Sequence, residues 1–372
     1  MTTDVVMSAD SHVIEPHDLW TEGVPERFRS RVPHLVREEQ TDRIVAEGLM
    51  MPPVGLLAGC ARADDEVRLE GRWEEDVFRG GYDADERIRD MDRDGVAAEI
   101  LYPTLGLQLY PQPDDDLLVA MLEAYNTWLA GFAARHPRRL YGVGMLLPER
   151  IDWSVQEVKR SVDAGLRGVM VPSIPPEGVS YWNEEFDPLW AAIEDSGLPL
   201  SMHASTSRLK PTNFDTRNPT DIVFYPVSAQ YQFRDMIFSG LFERFPRLVV
   251  ISAENDAGWL GHFLERMDST YQRNYRMKPD VIRCKRPPSE IFRTNCAVTF
   301  TKEASAAVVA PLAGAEAIMW GSDYPHHSST WPHSATVIET SVRRWSTPEN
   351  AAKILCENVM RIYHLDQVDQ PS

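Results

Sequence analysis

From about residue 96 onward, the sequence alternates short, almost continuously apolar runs with longer amphipathic stretches. With the segment at residues 4–10 the apolar runs are DVVMSAD (4–10), VAAEILYPT (96–104), LYGVGMLLP (140–148), LRGVMVPS (166–173), LPLSMHAS (198–205), RLVVISAE (247–254), CAVTFT (296–301) and AIMWGSDYP (317–325). Intervening stretches such as 115–137, 153–165 and 258–275 repeat apolar residues three and four apart, which predicts helices. Strands that are apolar on both faces are typical of parallel sheets covered by helices.

Eight such units predict an α/β fold, a closed (β/α)8 TIM barrel. A doubly wound open sheet is the alternative, but no glycine-rich phosphate fingerprint follows the first run, which disfavours a dinucleotide-binding version. Residues 1–372 are therefore read as one domain.

Two segments interrupt the alternation. Residues 13–90 lack clear periodicity and are predicted to be an insertion after the first strand that forms a lid over the barrel mouth. Residues 208–226 follow the fifth strand on the same rim, where Arg208 and Lys210 are expected to be solvated loop charges. The apolar residues that favour a lid lining are Trp20, Met50, Met51, Leu56, Leu57, Phe214, Phe224 and Tyr225.

Charge and cysteine content narrow the class of protein. The net charge of -18 is spread along the chain, which argues against nucleic acid or an anionic membrane as a partner and leaves a small-molecule substrate. The four cysteines are far apart without a CxxC pair, so neither a zinc finger nor a disulfide framework is predicted. With no targeting pattern and no apolar run of about 18 to 20 residues, a cytoplasmic protein is expected.

Side chains that can bind metal lie at the carboxyl ends of the predicted strands, where barrels of this kind carry their catalytic groups. Asp10 and His12 end the first run, and the strand period of two places both on one side, with Glu15 just beyond. Further imidazole and carboxylate groups are His203 from the fifth run, Glu254 from the sixth, and Asp323, His326 and His327 from the eighth.

Each of these residues also has a structural interpretation. His203 alone is more often a hydrogen-bonded core histidine, and Asp323 or Glu254 can start a turn or cap a helix. Several buried carboxylates at one place are costly without a cation, however, and a cation is what lets them converge. The combination predicts a metal site.

Four motifs carry a resemblance to a known family: Asp10-x-His12-x-x-Glu15-Pro16, MHAS at His203, GSDYPH at Asp323 and the closing ENVMRIYHL (357–365). Together they are similar to the amidohydrolase superfamily, in the branch of aminocarboxymuconate semialdehyde decarboxylase and related aromatic-acid decarboxylases. The resemblance implies that Asp10, His12, His203 and Asp323 bind a divalent metal at the barrel mouth. It also implies a homodimer.

Two departures from that family pattern favour a function other than decarboxylation. The chain begins with Asp10-x-His12 where the family decarboxylases often have His-x-His, and it has Glu254 where they commonly place a catalytic histidine. His326, His327 or His262 would have to replace that histidine. A carboxylate-rich set favours iron or manganese over a zinc site built from nitrogen and sulfur. It also resembles a branch of nonheme di-iron oxygenases on the same scaffold.

The favoured hypothesis is a nonheme di-iron monooxygenase that uses two Fe(II) ions to hydroxylate an apolar carboxylic acid or its coenzyme A thioester. One iron would be held by Asp10, His12, His203 and Asp323, the other by Glu15, Glu254 and His326 or His327, with Glu254, Asp323 and His326 as catalytic residues. The alternative is a mononuclear zinc- or manganese-dependent decarboxylase or hydrolase. A catalytically inactive barrel that binds a ligand is the third interpretation.

Overall fold

The structure, a computed structural model, describes residues 5–209 and 219–371 and contains the barrel that the apolar runs predict. Its strands in chain order are β1 (Met7–His12), β2 (His34–Arg37), β3 (Asp42–Val45), β4 (Ala98–Tyr102), β5 (Leu140–Met145), β6 (Gly168–Ile174), β7 (Leu200–Ser207), β8 (Val250–Ala253), β9 (Cys296–Phe300) and β10 (Ile318–Trp320). All except β2 and β3 belong to one parallel sheet in the order β1-β4-β5-β6-β7-β8-β9-β10. Each predicted apolar run overlaps one of these eight strands, which confirms the prediction.

The first and last strands of this sheet meet and close the barrel. The backbone N–H of His12 donates to the carbonyl of Tyr324 at 2.6 Å, and the N–H of Asp323 donates to the carbonyl of Asp10 at 2.9 Å. An open doubly wound sheet would leave these edges apart. The closing seam therefore runs directly through the residues predicted to bind metal.

Helices follow the strands and cover the outside of the barrel. They are α1 (Leu19–Gly23), α2 (Val54–Leu57), α3 (Trp73–Asp76), α4 (Ala84–Asp94), α5 (Asp115–Ala134), α6 (Ile151–Asp163), α7 (Asp187–Ser196), α8 (Tyr225–Phe238), α9 (Leu241–Arg244), α10 (Leu260–Asn274), α11 (Pro288–Asn295), α12 (Ala304–Ala313), α13 (Ser334–Ile338), α14 (Pro348–Ala352) and α15 (Asn358–Ile362). The amphipathic stretches 115–137, 153–165 and 258–275 correspond to α5, α6 and α10, as predicted.

The insertion after β1 is shorter than the predicted range 13–90, because α4 is the first helix of the barrel shell. The Asp83 side chain caps α4 by accepting from two backbone amides, and Gly95 with a φ of 74° ends it. Its sequence hides the helical period because the buried positions include Arg87 and Asp94 as well as apolar residues. A charged residue on the inward face weakens the pattern that sequence reasoning relies on.

The insertion packs on the mouth of the barrel. It contains the antiparallel pair β2 and β3 and buries Trp20 and Leu57, while Met50, Met51 and Leu56 stay partly exposed. A Cβ added to Gly59 would lie 2.6 Å from the His327 Cβ, and Cys60 packs with Tyr324 and Trp331. The insertion thus lies against the loop that follows β10, where the predicted ligands of the eighth run lie.

The second rim segment is only partly described, and Lys210 and Phe214 lie outside the described residues. Arg208 is not a solvated charge as expected. Its guanidinium donates to Asp115 at 2.8 Å and to Glu149 at 3.1 Å, and it also donates to two backbone carbonyls. These bonds hold the Arg208 guanidinium against neighbouring residues of the rim. Phe224 is exposed and Tyr225 partly so.

Among the described helices, α5 alone is long and apolar enough to cross a membrane by length and composition. About half of that apolar stretch, 56%, is buried inside the structure. Its buried face packs into the same core as the barrel strands β4 and β5. This is the pattern of a core helix in the barrel shell.

Candidate metal centre

Four buried side-chain atoms face one another where β1, β7 and β10 end. Asp10 Oδ1 lies 3.6 Å from His12 Nε2 and 3.4 Å from His203 Nε2, and His12 Nε2 lies 3.5 Å from Asp323 Oδ1. Among the described residues, Asp10 Oδ1, His12 Nε2 and His203 Nε2 have no hydrogen-bond partner, whereas Asp323 Oδ1 lies 2.8 Å from His326 Nδ1. Buried polar atoms without partners are rare in folded proteins and call for an explanation, of which a bound ion is one. Their convergence fits a divalent cation.

Glu254 and His326 border this group. Glu254 Oε2 lies 3.5 Å from His203 Nε2, and His326 Nδ1 lies 2.8 Å from Asp323 Oδ1. The His326 ring stacks on the His12 ring with centroids 3.9 Å apart. Glu254 and Asp323 both have positive φ, 55° and 56°, a conformation that is strained for these residues and that concentrates at functional sites.

The histidines are oriented by backbone carbonyls. His12 Nδ1 donates to the carbonyl of Pro103 at 2.7 Å, and His203 Nδ1 donates to the carbonyl of Ala204 at 2.9 Å. A proton on Nδ1 leaves the Nε2 lone pair free, which is the tautomer that a metal ligand needs. Both Nε2 atoms point into the cluster, by which we mean the convergent ligand atoms of Asp10, His12, His203 and Asp323.

The carboxylates are held in a similar way by hydroxyl groups. Thr299 Oγ1 donates to Asp10 Oδ2 at 2.6 Å, and Ser328 Oγ donates to Asp323 Oδ2. Each carboxylate therefore has one oxygen fixed by the protein and one oxygen facing the cluster. Supporting bonds of this kind are what orient metal ligands in proteins.

The electrostatics of the cluster are strongly coupled. Burial, with His326 and His203 nearby, holds the pKa of His12 well below its usual value. Burial and then Asp323 raise the pKa of Glu254 to about 8. Burial opposes protonation of His203, but Asp10 and Glu254 outweigh it and raise its pKa to about 9. These groups compete for protons, and a divalent cation among them would favour the ionised carboxylates and neutral imidazoles instead.

Not every predicted ligand reaches the cluster. Glu15 accepts hydrogen bonds from the backbone amides of Leu105 at 2.8 Å and Gly106 at 2.9 Å, so both of its oxygens are used elsewhere. His327 is exposed and belongs to neither group of convergent ligand atoms, and His262 is exposed on α10. The structure brings together Asp10, His12, His203, Glu254, Asp323 and His326.

Sequence reasoning missed the groups that support these ligands. Thr299 was not singled out, although a polar residue inside the apolar run CAVTFT is a signal that could have identified it. Thr104, whose Oγ1 hydrogen-bonds with His326 Nε2 at 3.0 Å, is the last residue of the second run, and the sequence indicates at most that it lines the pocket. The role of the Pro103 carbonyl could not have been predicted from the sequence, because every residue has a backbone carbonyl.

The candidate ligand atoms can be grouped around a metal ion in two ways. The convergent atoms form two groups, one of Asp10, His12 and His203 and one of His12, Glu254, Asp323 and His326. Both groups contain His12, and its single Nε2 lone pair can bind one ion only, so His12 belongs to one of the two groups at a time. Carboxylate oxygen mixed with imidazole nitrogen is a ligand set that zinc, manganese and iron all accept.

The fold and this site define a metal-dependent TIM-barrel enzyme, with its ligands at the carboxyl ends of the strands. The sequence model of the amidohydrolase family matches residues 73–365. The chain therefore belongs to the amidohydrolase family, as its motifs predict.

Several known proteins that are similar to this chain are named as decarboxylases. The 2-amino-3-carboxymuconate-6-semialdehyde decarboxylase of Dictyostelium discoideum is 23% identical over 266 residues, covering 70% of this chain and 71% of that protein. The structure is also similar to a crystal structure of 5-carboxyvanillate decarboxylase from Novosphingobium aromaticivorans DSM 12444, which is complexed with manganese and 4-hydroxy-3-methoxy-5-nitrobenzoic acid. The TM-score is 0.69 and the sequence identity 18%, over 98% of this chain and 97% of that chain. An amidohydrolase from Mycobacterium avium subsp. paratuberculosis K-10 has a TM-score of 0.77 and 19% identity, covering 97% and 99%.

The prediction of a di-iron monooxygenase is wrong. The similar proteins described above whose activity is named are decarboxylases, which conflicts with an iron-dependent monooxygenase. The structure supplies a physical reason, because Glu15 was needed for the second iron and its carboxylate is bound to the Leu105 and Gly106 amides. The carboxylate-rich composition misled the sequence interpretation, since composition counts the carboxylates without showing which of them face the cluster.

Proposed function

We propose that this protein is a decarboxylase that removes the carboxyl group of a small aromatic carboxylic acid and uses one divalent metal ion, manganese or zinc. The observation that carries the proposal is the convergence of four buried ligand atoms, on Asp10, His12, His203 and Asp323. The atoms on Asp10, His12 and His203 have no hydrogen-bond partner among the described residues. The activities named for the similar proteins support the reaction and the aromatic substrate class.

In this proposal Asp10, His12, His203 and Asp323 hold the metal. When bound, the ion supplies positive charge that orients the substrate carboxylate or a neighbouring oxygen. The protein side chains around it exclude water, since Asp10, His12, His203 and Asp323 are all buried. Their fixed outer hydrogen bonds keep the site preorganised for a planar acid.

Decarboxylation breaks a carbon–carbon bond, releases CO2 and leaves an electron pair on a ring carbon that must take a proton. His326 and Asp323, with Nδ1 and Oδ1 2.8 Å apart, form a pair that can hold this proton and deliver it. His326 is more exposed than the four ligands, so it is placed to face the substrate. Glu254 stands where the resembled decarboxylases have a histidine, and beside His203 it is the third catalytic candidate.

The test is an assay of the manganese-loaded full chain on a panel of benzoic acids that carry a hydroxyl group beside the carboxyl group. We expect CO2 release and the matching phenol by mass spectrometry. His326→Gln should lower kcat roughly 100-fold, since general acid catalysis contributes about that much or more. Asp268→Asn, in the outer helix α10 where Asp268 binds Ser289, should retain full activity.

Absence of CO2 across the panel, together with hydrolysis of aryl esters or amides, would replace the decarboxylase by a hydrolase on the same site. Homodimer formation and a cytoplasmic location stay predictions. Light scattering of the purified protein tests the first of them.

A further inference from the structure

Glu15 is a buried carboxylate with a dedicated structural task. It is fully inaccessible to solvent, and its two oxygens accept from two successive backbone amides, those of Leu105 and Gly106. These amides begin the short 3-10 helix Gly106–Gln108, where backbone donors lack partners within the helix. Burying a carboxylate is costly, so hydrogen bonds of this quality are needed to keep it there.

The turn that Glu15 holds, Pro103–Gly106, contacts two different histidines of the site. The Pro103 carbonyl accepts from His12 Nδ1 at 2.7 Å, and Thr104 Oγ1 hydrogen-bonds with His326 Nε2 at 3.0 Å. His12 comes from the start of the chain and His326 from near its end. This single turn therefore fixes the orientation of both rings.

The turn is also packed tightly enough to transmit a displacement. A Cβ added to Gly106 would lie 2.6 Å from the Pro103 Cβ, 3.0 Å from Glu15 Oε1 and 3.1 Å from the Met145 sulfur. Close-packed interiors pass on small shifts instead of absorbing them. Movement at the Glu15 end of the turn should reach the Pro103 carbonyl.

We propose that Glu15 is a positioning residue of the metal centre, acting through the Pro103–Gly106 turn on His12 and His326. Through Pro103 it keeps the proton of His12 on Nδ1 and the Nε2 lone pair directed at the cluster. Through Thr104 it keeps His326 beside Asp323. The part that concerns His326 rests on the proposed decarboxylase function, whereas the part that concerns His12 concerns metal affinity alone.

The experiment compares Glu15→Gln with the unchanged full chain. Glutamine keeps the size of the side chain, but its NH2 group cannot accept from a backbone amide, so one anchor of the turn is lost. We expect the dissociation constant for Mn²⁺, measured by isothermal titration calorimetry, to rise about tenfold, as is usual when an outer-shell partner of a metal ligand is lost. An unchanged dissociation constant would overturn the proposal.

Glu157→Gln is the matched control for general destabilisation. Glu157 is likewise buried, in α6, and its carboxylate binds Asn126 and Arg160 instead of the turn. It should lower the midpoint of thermal unfolding and leave the Mn²⁺ affinity within about twofold. If Glu157→Gln weakens Mn²⁺ binding as much as Glu15→Gln does, the effect is general loosening and the proposal is wrong.

Thr104→Val separates the two proposed effects of the turn, the one on His326 through Thr104 and the one on His12 through Pro103. It removes only the hydroxyl that contacts His326, so the Mn²⁺ affinity should stay unchanged while kcat falls and KM moves little. A loss of Mn²⁺ affinity in Thr104→Val would contradict the division of roles between Pro103 and Thr104. If no substrate is decarboxylated by the unchanged protein, the proposed function fails, and the Mn²⁺ titrations still decide the role of Glu15.

Discussion

At the scale of single residues, Thr299 lies between two carboxylate positions of the site. Its hydroxyl donates to Asp10 Oδ2 at 2.6 Å and accepts from the backbone amide of Glu254 at 2.8 Å. One side chain on β9 thus fixes a ligand from β1 and the backbone that follows β8. The free oxygen of Asp10 faces His203 because the other oxygen is bound in this way.

Thr299→Val removes this hydroxyl and keeps the shape of the side chain. We expect Mn²⁺ to bind about tenfold more weakly, because Asp10 can then rotate away from the cluster. Calorimetric titration measures the change. Thr301→Val is the control, since Thr301 lies two residues further along, is partly exposed and is outside the ligand groups. Equal losses in both variants would show that the Thr299 hydroxyl has no specific role.

At the scale of elements, the seam between β1 and the end of β10 decides the geometry of the site. Gly321 follows β10, and a Cβ there would lie 2.5 Å from the Asp10 Cβ and 2.9 Å from the Asp10 carbonyl oxygen. Only glycine permits this approach of the two strands. The same seam carries the hydrogen bond from the Asp323 amide to the Asp10 carbonyl.

Gly321→Ala should push the two strands apart, and we expect it to cost roughly 1 to 3 kcal/mol of stability, as overpacking does, and to weaken Mn²⁺ binding. Gly131→Ala is the matched control inside α5, where an added Cβ meets nothing within 4 Å. It should stabilise the protein by about 1 kcal/mol, because alanine is the better helix former. The midpoints of urea unfolding compare the two. A neutral Gly321→Ala would show that the seam can relax.

At the scale of the whole molecule, the metal centre connects distant parts of the chain. Asp10 and His12 come from β1, His203 from β7 and Asp323 from the end of β10. A cation bound to all of them would hold the barrel together across its mouth. Binding to the folded state alone adds directly to its stability.

We therefore expect EDTA to lower the midpoint of thermal unfolding of the manganese-loaded protein. At a metal concentration about 100 times the dissociation constant the ion contributes about 2.7 kcal/mol, which corresponds to roughly 3 to 6 °C. Asp10→Asn should abolish this dependence on EDTA, and Asp268→Asn should retain it. The same EDTA shift in Asp10→Asn as in the unchanged chain would contradict a site at Asp10.

The sequence determined the barrel and indicated most of the candidate ligands, because both depend on local patterns. Strands buried on both faces read as continuous apolar runs, so all eight could be found, and the strand period of two placed Asp10 and His12 together. His203 and Asp323 followed because each lies near the carboxyl end of such a run. The helix α4 was assigned to the insertion because its inward face carries Arg87, and a charge there breaks the local pattern.

Only the tertiary structure decided which of the remaining carboxylates and histidines belong to the site. Glu15 turns to the Leu105 and Gly106 amides, whereas Glu254 reaches His203, and nothing in their spacing distinguishes the two. His326 joins and His327 does not, although they are neighbours. These outcomes depend on how loops from distant parts of the chain pack at the barrel mouth. The physical reason is that such contacts are set by long-range packing, which local periodicity does not encode.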